Sequence, residues 1–258
     1  MKPITITSPS WENLHRTFLF TLLIISGTFF PGSAQKKITF PAVDSLRVTA
    51  DFYQGDSAGP FILLFHEERS SRGEFREIAP RLVKMGYNCL AVDLRTGREN
   101  NYVSNETARR AAALPSPPRA YDCLKDIQGA VRYASGISGQ PVVLLGGSFS
   151  ASLCLLDAAK DSLVSAVAAF SPGEFFRPFI TVRDSLVSIT VPVFITGSKQ
   201  EYPYLAELSS KIPPPYITIF VPARHEGKHG TSSLLSSDPA SGDYWLSLLM
   251  FFRNLRSR

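Results

Sequence analysis

The segment Phe61–His66 (FILLFH) is apolar at five successive positions, with none of the polar alternation of a half-exposed strand. A strand of that kind needs cover on both faces, which a sheet between two helix layers provides. Asn88–Asp93 (NCLAVD) repeats the pattern. Between them, Ser71–Gly86 sets Phe75, Ile78, Ala79, Leu82, Val83 and Met85 near one face of a helix. Later units continue the alternation: helix Ala120–Ala134, strand Val142–Leu145, helix Ala151–Ala159, strands Ala166–Phe170 and Val191–Thr196, helix Tyr204–Lys211, strand Tyr216–Val221 and helix Tyr244–Leu255. Ahead of them, Ile38–Val43 and Leu46–Tyr53 alternate with period two about Asp44-Ser45 and predict an opening hairpin. The expected fold is therefore α/β: a mostly parallel central sheet with helices on both faces and an N-terminal antiparallel hairpin. Ligands of such sheets bind beyond the carboxyl ends of the strands, so the chemistry belongs just after them.

The first 34 residues stand apart. Arg16 precedes the apolar run Phe18–Phe30, and Pro31-Gly32-Ser33-Ala34 then supplies the small residues a signal peptidase reads. The run is short for a membrane span, which needs ~20 residues. Residues 1–34 read as a signal peptide cleaved after Ala34, leaving a single domain over 35–258, exported to the periplasm or outside the cell. No stable membrane insertion is expected after cleavage; an uncleaved anchor is the alternative, and Glu12 speaks for it.

Hydrophobic residues at 44% and charged residues at 19% suit a globular domain and exclude a disordered or fibrous chain. Without the leader, 25 basic and 21 acidic residues remain, scattered and without a stripe, so no nucleic-acid partner is expected. Cys89, Cys123 and Cys154 lie in apolar segments, without the spacing of a disulfide framework or a metal site. They read as buried thiols, and no metal or organic cofactor is expected.

Val142–Leu145 runs directly into Gly146-Gly147-Ser148-Phe149-Ser150-Ala151-Ser152 and then into a helix. A serine projecting from a strand-to-helix turn needs small residues two places away on either side. Gly146 satisfies this before Ser148; Ser150 stands where a second glycine is usual. Ser148 is the candidate nucleophile. Ser150 is the weaker rival, because Ser148 occupies its own preceding position.

Beyond the leader only His66, His225 and His229 remain as bases. The loop after the last strand, Val221–Gly230, holds two of them, and the glycines around His229 favour it as the base that a carboxylate would orient. Glu201, after Val191–Thr196, is the expected acid, with Glu174 in Ser171-Pro172-Gly173-Glu174 as the alternative. The order serine, acid, histidine is that of one hydrolase fold. Donors for an oxyanion would be the backbone amide of Phe149 and that of Glu67 or Glu68, after strand Phe61–His66.

Phe61–Gly97, Asn105-Glu106-Thr107, the elbow GGSFSAS, FSPGEFF and GKHGTSSL together resemble the dienelactone-hydrolase-like branch of the α/β hydrolases, from about Val48 to the C-terminus. The resemblance implies an esterase-type enzyme acting on a small-molecule ester or acyl substrate through an acyl-enzyme. Relatives usually carry a glutamine and a small residue after the loop histidine, where this chain has Glu67-Glu68-Arg69. Two carboxylates there disfavour a developing anion unless Arg69 or Arg72 neutralises them. A serine peptidase or amidase would use the same triad, since leaving-group choice lies in pocket shape. A catalytically inactive hydrolase fold that binds a ligand is the reading from another class.

Overall fold

In the computed structural model, residues 35–56 and 58–256 are described; the expected leader over 1–34 lies outside the described residues. The chain opens with β1 (Gln35–Pro41) and β2 (Arg47–Tyr53), the antiparallel hairpin, followed by β3 (Phe61–Phe65), α1 (Ile78–Lys84) and β4 (Asn88–Val92). Then come α2 (Glu106–Ala111), α3 (Leu124–Ser138), β5 (Val142–Gly147), α4 (Phe149–Ala158), β6 (Val164–Phe170) and α5 (Val182–Ser185). The chain ends with β7 (Val193–Thr196), α6 (Tyr202–Leu208), β8 (Ile217–Phe220) and α7 (Ser241–Arg256). One sheet takes the order β1-β2-β4-β3-β5-β6-β7-β8. From β4 to β8 the pairs are parallel, and β2 meets β4 antiparallel.

The unalternating apolar run of β3 is explained by its two covered faces. Leu63 and Phe65 join the core beneath α3 and α4, while Ile62 and Leu64 join the opposite core with α1 and α7. All four are fully buried. After β3 the chain steps to β4, then returns to place β5 on β3's other side, so the strand order reverses between β3 and β5. That reversal opens a crevice at the carboxyl ends of these two strands. Phe65 is in register with Gly146, which brings the loops after both strands to the same level.

Two expected helices open with a 3₁₀ turn, and the α-helix of each begins later than its apolar pattern. The Ser71–Gly86 segment divides into a 3₁₀ turn at Arg72–Phe75 and α1. Pro80 has no N–H to give Arg76, so the α-helix begins just ahead of it, where that loss falls in the first turn. Ser71 instead accepts the Gly73 amide and caps the 3₁₀ turn. Similarly, Ala120–Cys123 is a 3₁₀ turn preceding α3. The three cysteines are buried and free.

The long connection after β4 is pinned by two buried arginines. Arg72 bonds Asp93 at 2.6 Å and meets Asp51 at 3.1 Å. Arg95 forks between Asp126 and Asp44, each at 2.7 Å. Asp126 is inaccessible and also accepts the Arg95 amide. Removing it leaves the guanidinium half-paired in the interior. Asp126→Ala is expected to lower stability by about 3–5 kcal/mol, read from urea unfolding curves.

Candidate active site

Ser148 carries the turn from β5 into α4 with φ 56° and ψ −124°. That left-handed conformation is uncommon for a residue bearing a side chain. The turn is tight: a Cβ on Gly146 would lie 2.7 Å from the Ala151 nitrogen, and one on Gly147 would lie 2.7 Å from Glu67 Cγ. Only bare backbone fits at either place. The Ser148 amide donates to the Phe170 carbonyl at 2.8 Å, fixing the elbow to the end of β6. Ser150 is fully buried, and its hydroxyl donates to the Phe65 carbonyl at 2.7 Å while accepting the Gly147 amide at 3.1 Å. The residue in the place of a second glycine therefore ties β5 to β3, and its hydroxyl is not free to react.

The loops after β7 and β8 bring Glu201 and His229 together, with His229 Nδ1 2.6 Å from Glu201 Oε1. The other carboxylate oxygen accepts the Ser198 amide at 2.7 Å and the Ser171 hydroxyl at 2.8 Å. Burial pushes the Glu201 carboxyl up, but the hydrogen bonds from His229, Ser198 and Ser171 outweigh it and hold the group at about 2. His229 is raised above its ordinary 6.5 by the bond to Glu201, with burial opposing. Ser171 was not singled out by sequence reasoning, although it stands directly after β6; its hydroxyl also accepts the Gly230 amide at 2.8 Å. Among the described residues no hydrogen bond joins the Ser148 hydroxyl to the His229 ring. The connection runs through the backbone: Phe170 takes the Ser148 amide, and the next residue holds both Glu201 and the His229 loop.

Glu174, the alternative acid, faces elsewhere. Its carboxylate accepts the amides of Val182 and Arg183 at 2.7 and 2.9 Å and so caps α5. His225 lies exposed on the loop between β8 and His229.

Of the two amides considered after β3, that of Glu67 is already donated to Glu74 Oε2 at 3.0 Å. The amide left for an incoming anion on this loop is that of Glu68. Its direction is set by His66, which is fully buried and held uncharged by that burial, at about 4. His66 Nε2 accepts the Leu94 amide at 3.0 Å, so the ring proton sits on Nδ1 and is donated to the Glu67 carbonyl at 2.7 Å. In a trans peptide the N–H points opposite the C=O, and holding the Glu67 carbonyl thereby aims the Glu68 amide. The arginines expected to neutralise this loop do not. Arg72 is engaged with Asp51, Asp93 and Glu106, and Arg69 is exposed.

The segment after Ser171 leads into an open cleft of about 390 Å³ lined by Tyr121, Phe175, Phe176, Phe179 and Ile180, with Arg119 and Arg177 also in its wall. Phe179 is 80% exposed there. Among the described residues no cluster of His, Cys, Asp and Glu is arranged to hold a metal ion, and no helix is long and apolar enough to cross a membrane.

A model of the dienelactone hydrolase family matches residues 48–211. No curated protein matches the chain by sequence. Among solved structures, the chain is similar to a dienelactone hydrolase from Anabaena variabilis (TM-score 0.65, 15% identity, covering 86% of this chain and 98% of that one). It is also similar to an esterase from Pyrococcus furiosus (TM-score 0.63, 14% identity, 86% and 91% covered). An esterase domain from Rhodothermus marinus aligns at TM-score 0.56 with 15% identity, over 86% of this chain and 98% of that one.

The pairing of Glu201 with His229 has a direct spectroscopic consequence. NMR titration of the imidazole is expected to give a midpoint above 6.5 in the native chain, falling in Glu201→Gln, where the charge is gone. A midpoint unmoved by the substitution would break the assigned bond.

Proposed function

This chain belongs to the dienelactone hydrolase family, hydrolases of ester-type substrates, and we propose that it works by a serine mechanism with Ser148 as nucleophile, His229 as base and Glu201 as acid. The observation that supports this most is the Glu201–His229 bond at the same end of the sheet as a serine held in a left-handed elbow. Ser148 Oγ attacks the ester carbonyl as His229 Nε2 takes its proton, and Glu201 stabilises the imidazolium from Nδ1. The oxyanion is received by the Phe149 amide, at the start of α4, and by the Glu68 amide. His229 then protonates the departing alkoxide, leaving an acyl-enzyme on Ser148 that water cleaves by the same steps. The serine–histidine bond forms in the Michaelis complex, where catalytic hydrogen bonds commonly tighten.

The same proposal includes export. Residues 1–34 are removed after Ala34, and the mature chain begins at Gln35. Mass spectrometry of the protein recovered from its native compartment is expected to find that N-terminus; a chain still carrying residues ahead of Ala34 would mean a retained anchor.

A fluorophosphonate probe is expected to label Ser148 in the folded protein, and Ser148→Ala to abolish both labelling and turnover of p-nitrophenyl esters. Glu201→Gln should lower kcat by about 10⁴-fold, the loss when a triad acid becomes an amide, whereas Glu174→Gln should leave kcat nearly unaltered. Equal losses from the two would remove Glu201 from its role. A folded protein that is never labelled would favour a ligand-binding hydrolase fold.

A further inference from the structure

Glu67, on the loop after β3, and Glu74, in the following 3₁₀ turn, meet on the side chain of Thr231, two residues beyond His229. Glu67 Oε1 accepts the Thr231 amide at 2.7 Å and lies 3.3 Å from its hydroxyl. On the other side of that hydroxyl, Glu74 Oε1 stands at 2.5 Å, while Glu74 Oε2 accepts the Glu67 amide at 3.0 Å. A threonine hydroxyl has one proton to give. If both carboxyls were ionised, the hydroxyl could donate to only one of them and would turn a lone pair toward the other. One added proton resolves this. Glu74 then donates from Oε1 to Thr231 Oγ1, which donates in turn to Glu67 Oε1.

Among the described residues no arginine supplies the missing positive charge. Arg72 is engaged with Asp51, Asp93 and Glu106, and Arg69 is exposed. Glu67 is faced by Thr231, Ser232 and His229; Glu74 is faced by Glu67, Thr231 and Ser70. Burial, followed by the charge of Glu67, lifts the Glu74 carboxyl to about 8, and burial raises Glu67 as well. Protonation is therefore compatible with neutral pH and lost above it.

The chain of bonds joins two parts of the site. At one end is the peptide segment carrying the Glu68 amide; at the other is the loop carrying His229. The bare Cα of Gly147 lets the Glu67 side chain pass against the elbow itself. We propose that Glu74 is a positioning residue: a single proton shared along Glu74, Thr231 and Glu67 holds the Glu68 amide and the His229 loop in working register, and its loss in alkaline solution loosens both. The inference rests on the serine-hydrolase reading above.

The test is the pH profile of kcat/KM for a p-nitrophenyl ester, beside an activity-independent infrared measurement of protonated carboxyl. In the native protein kcat/KM should rise as His229 loses its proton and fall again on an alkaline limb near the Glu74 midpoint. Glu74→Gln copies the protonated acid, its carbonyl accepting the Glu67 amide and its N–H donating to Thr231, but cannot titrate; the alkaline limb should disappear. Glu74→Ala should lower kcat/KM at pH 7 on the order of 10- to 100-fold, the cost of displaced catalytic groups, and the glutamine variant should recover most of that loss. Thr231→Val, which interrupts the chain without touching either acid, should move the limb if Glu74→Gln does not fold. The infrared difference between native protein and Glu74→Gln at pH 7 should contain a protonated-carboxyl band. A native profile flat to pH 10, a limb retained in the glutamine variant, or an absent band would overturn the inference. If Ser148 takes no fluorophosphonate while the band is present, the serine-hydrolase reading fails instead, and the positioning role falls with it.

Discussion

Between β5 and α4 the chain turns through one residue, and Ser148 absorbs that turn at φ 56°. Backbone in this region costs about 1–3 kcal/mol and persists only where the surroundings over-determine it. Here the surroundings are the ends of three strands. The Ser148 amide is fixed to β6, Ser150 fixes the first turn of α4 to β3, and Gly146 and Gly147 admit the backbone and side chains that press on them. The elbow requires β5 to be interior, with β3 and β6 as partners on either side. The reversal of strand order between β3 and β5 supplies this, and it also opens the crevice in which the serine stands. Fold and candidate chemistry meet in that turn.

Around the elbow, burial and hydrogen bonding push neighbouring groups in opposite directions. Glu201 is half-buried yet held ionised, because His229, Ser198 and Ser171 all donate to it. His229 keeps half its side chain in solvent and gains basicity from that carboxylate. His66, fully buried and with both ring nitrogens committed to backbone groups, is neutral across the physiological range. Two histidines close to the same loop thus take different tasks: one exposed and basic, the other inert and orienting a peptide plane. Environment separates them, as it does paired titratable groups in enzymes generally.

Much of this was readable in the sequence because it depends on local pattern. Apolar runs without alternation marked the strands buried on both faces, and the small residues around Ser148 marked the tight turn. Ser198-Lys199-Gln200-Glu201 even carries the Ser-x-x-Glu spacing of a capping box, which the structure forms and which aligns Glu201. What could not be read depended on which distant segments meet. Ser171 orients Glu201 from thirty residues away, and nothing near it in the chain signals that partner. The fate of the Glu67 amide depended on Glu74, and Glu174 became a helix cap only once α5 lay beside it. Arg72 looked available to the acidic loop because it is close in sequence. Its side chain is claimed instead by Asp51 on β2 and Asp93 just beyond β4, which only the folded sheet brings near.

That diversion of Arg72 bears on how an acidic loop can adjoin the proposed oxyanion site. A carboxylate beside a developing oxyanion raises its energy, most strongly where water is excluded. An arginine could offset this, but Arg72 is needed where it is: releasing it would leave Asp93 buried without its cation and free the start of α2, whose Glu106 amide also rests on Asp93. The remaining means of reducing charge near the crevice is a proton. Glu74 is better suited to hold it than Glu67, because Glu67 accepts the Thr231 amide and lies close to His229, both of which favour its ionised form. The acidity of Glu67-Glu68-Arg69 and the presence of Glu74 seven residues after Glu67 thus form one device. The first glutamate reaches the His229 loop, and the second carries the proton that makes its charge tolerable there.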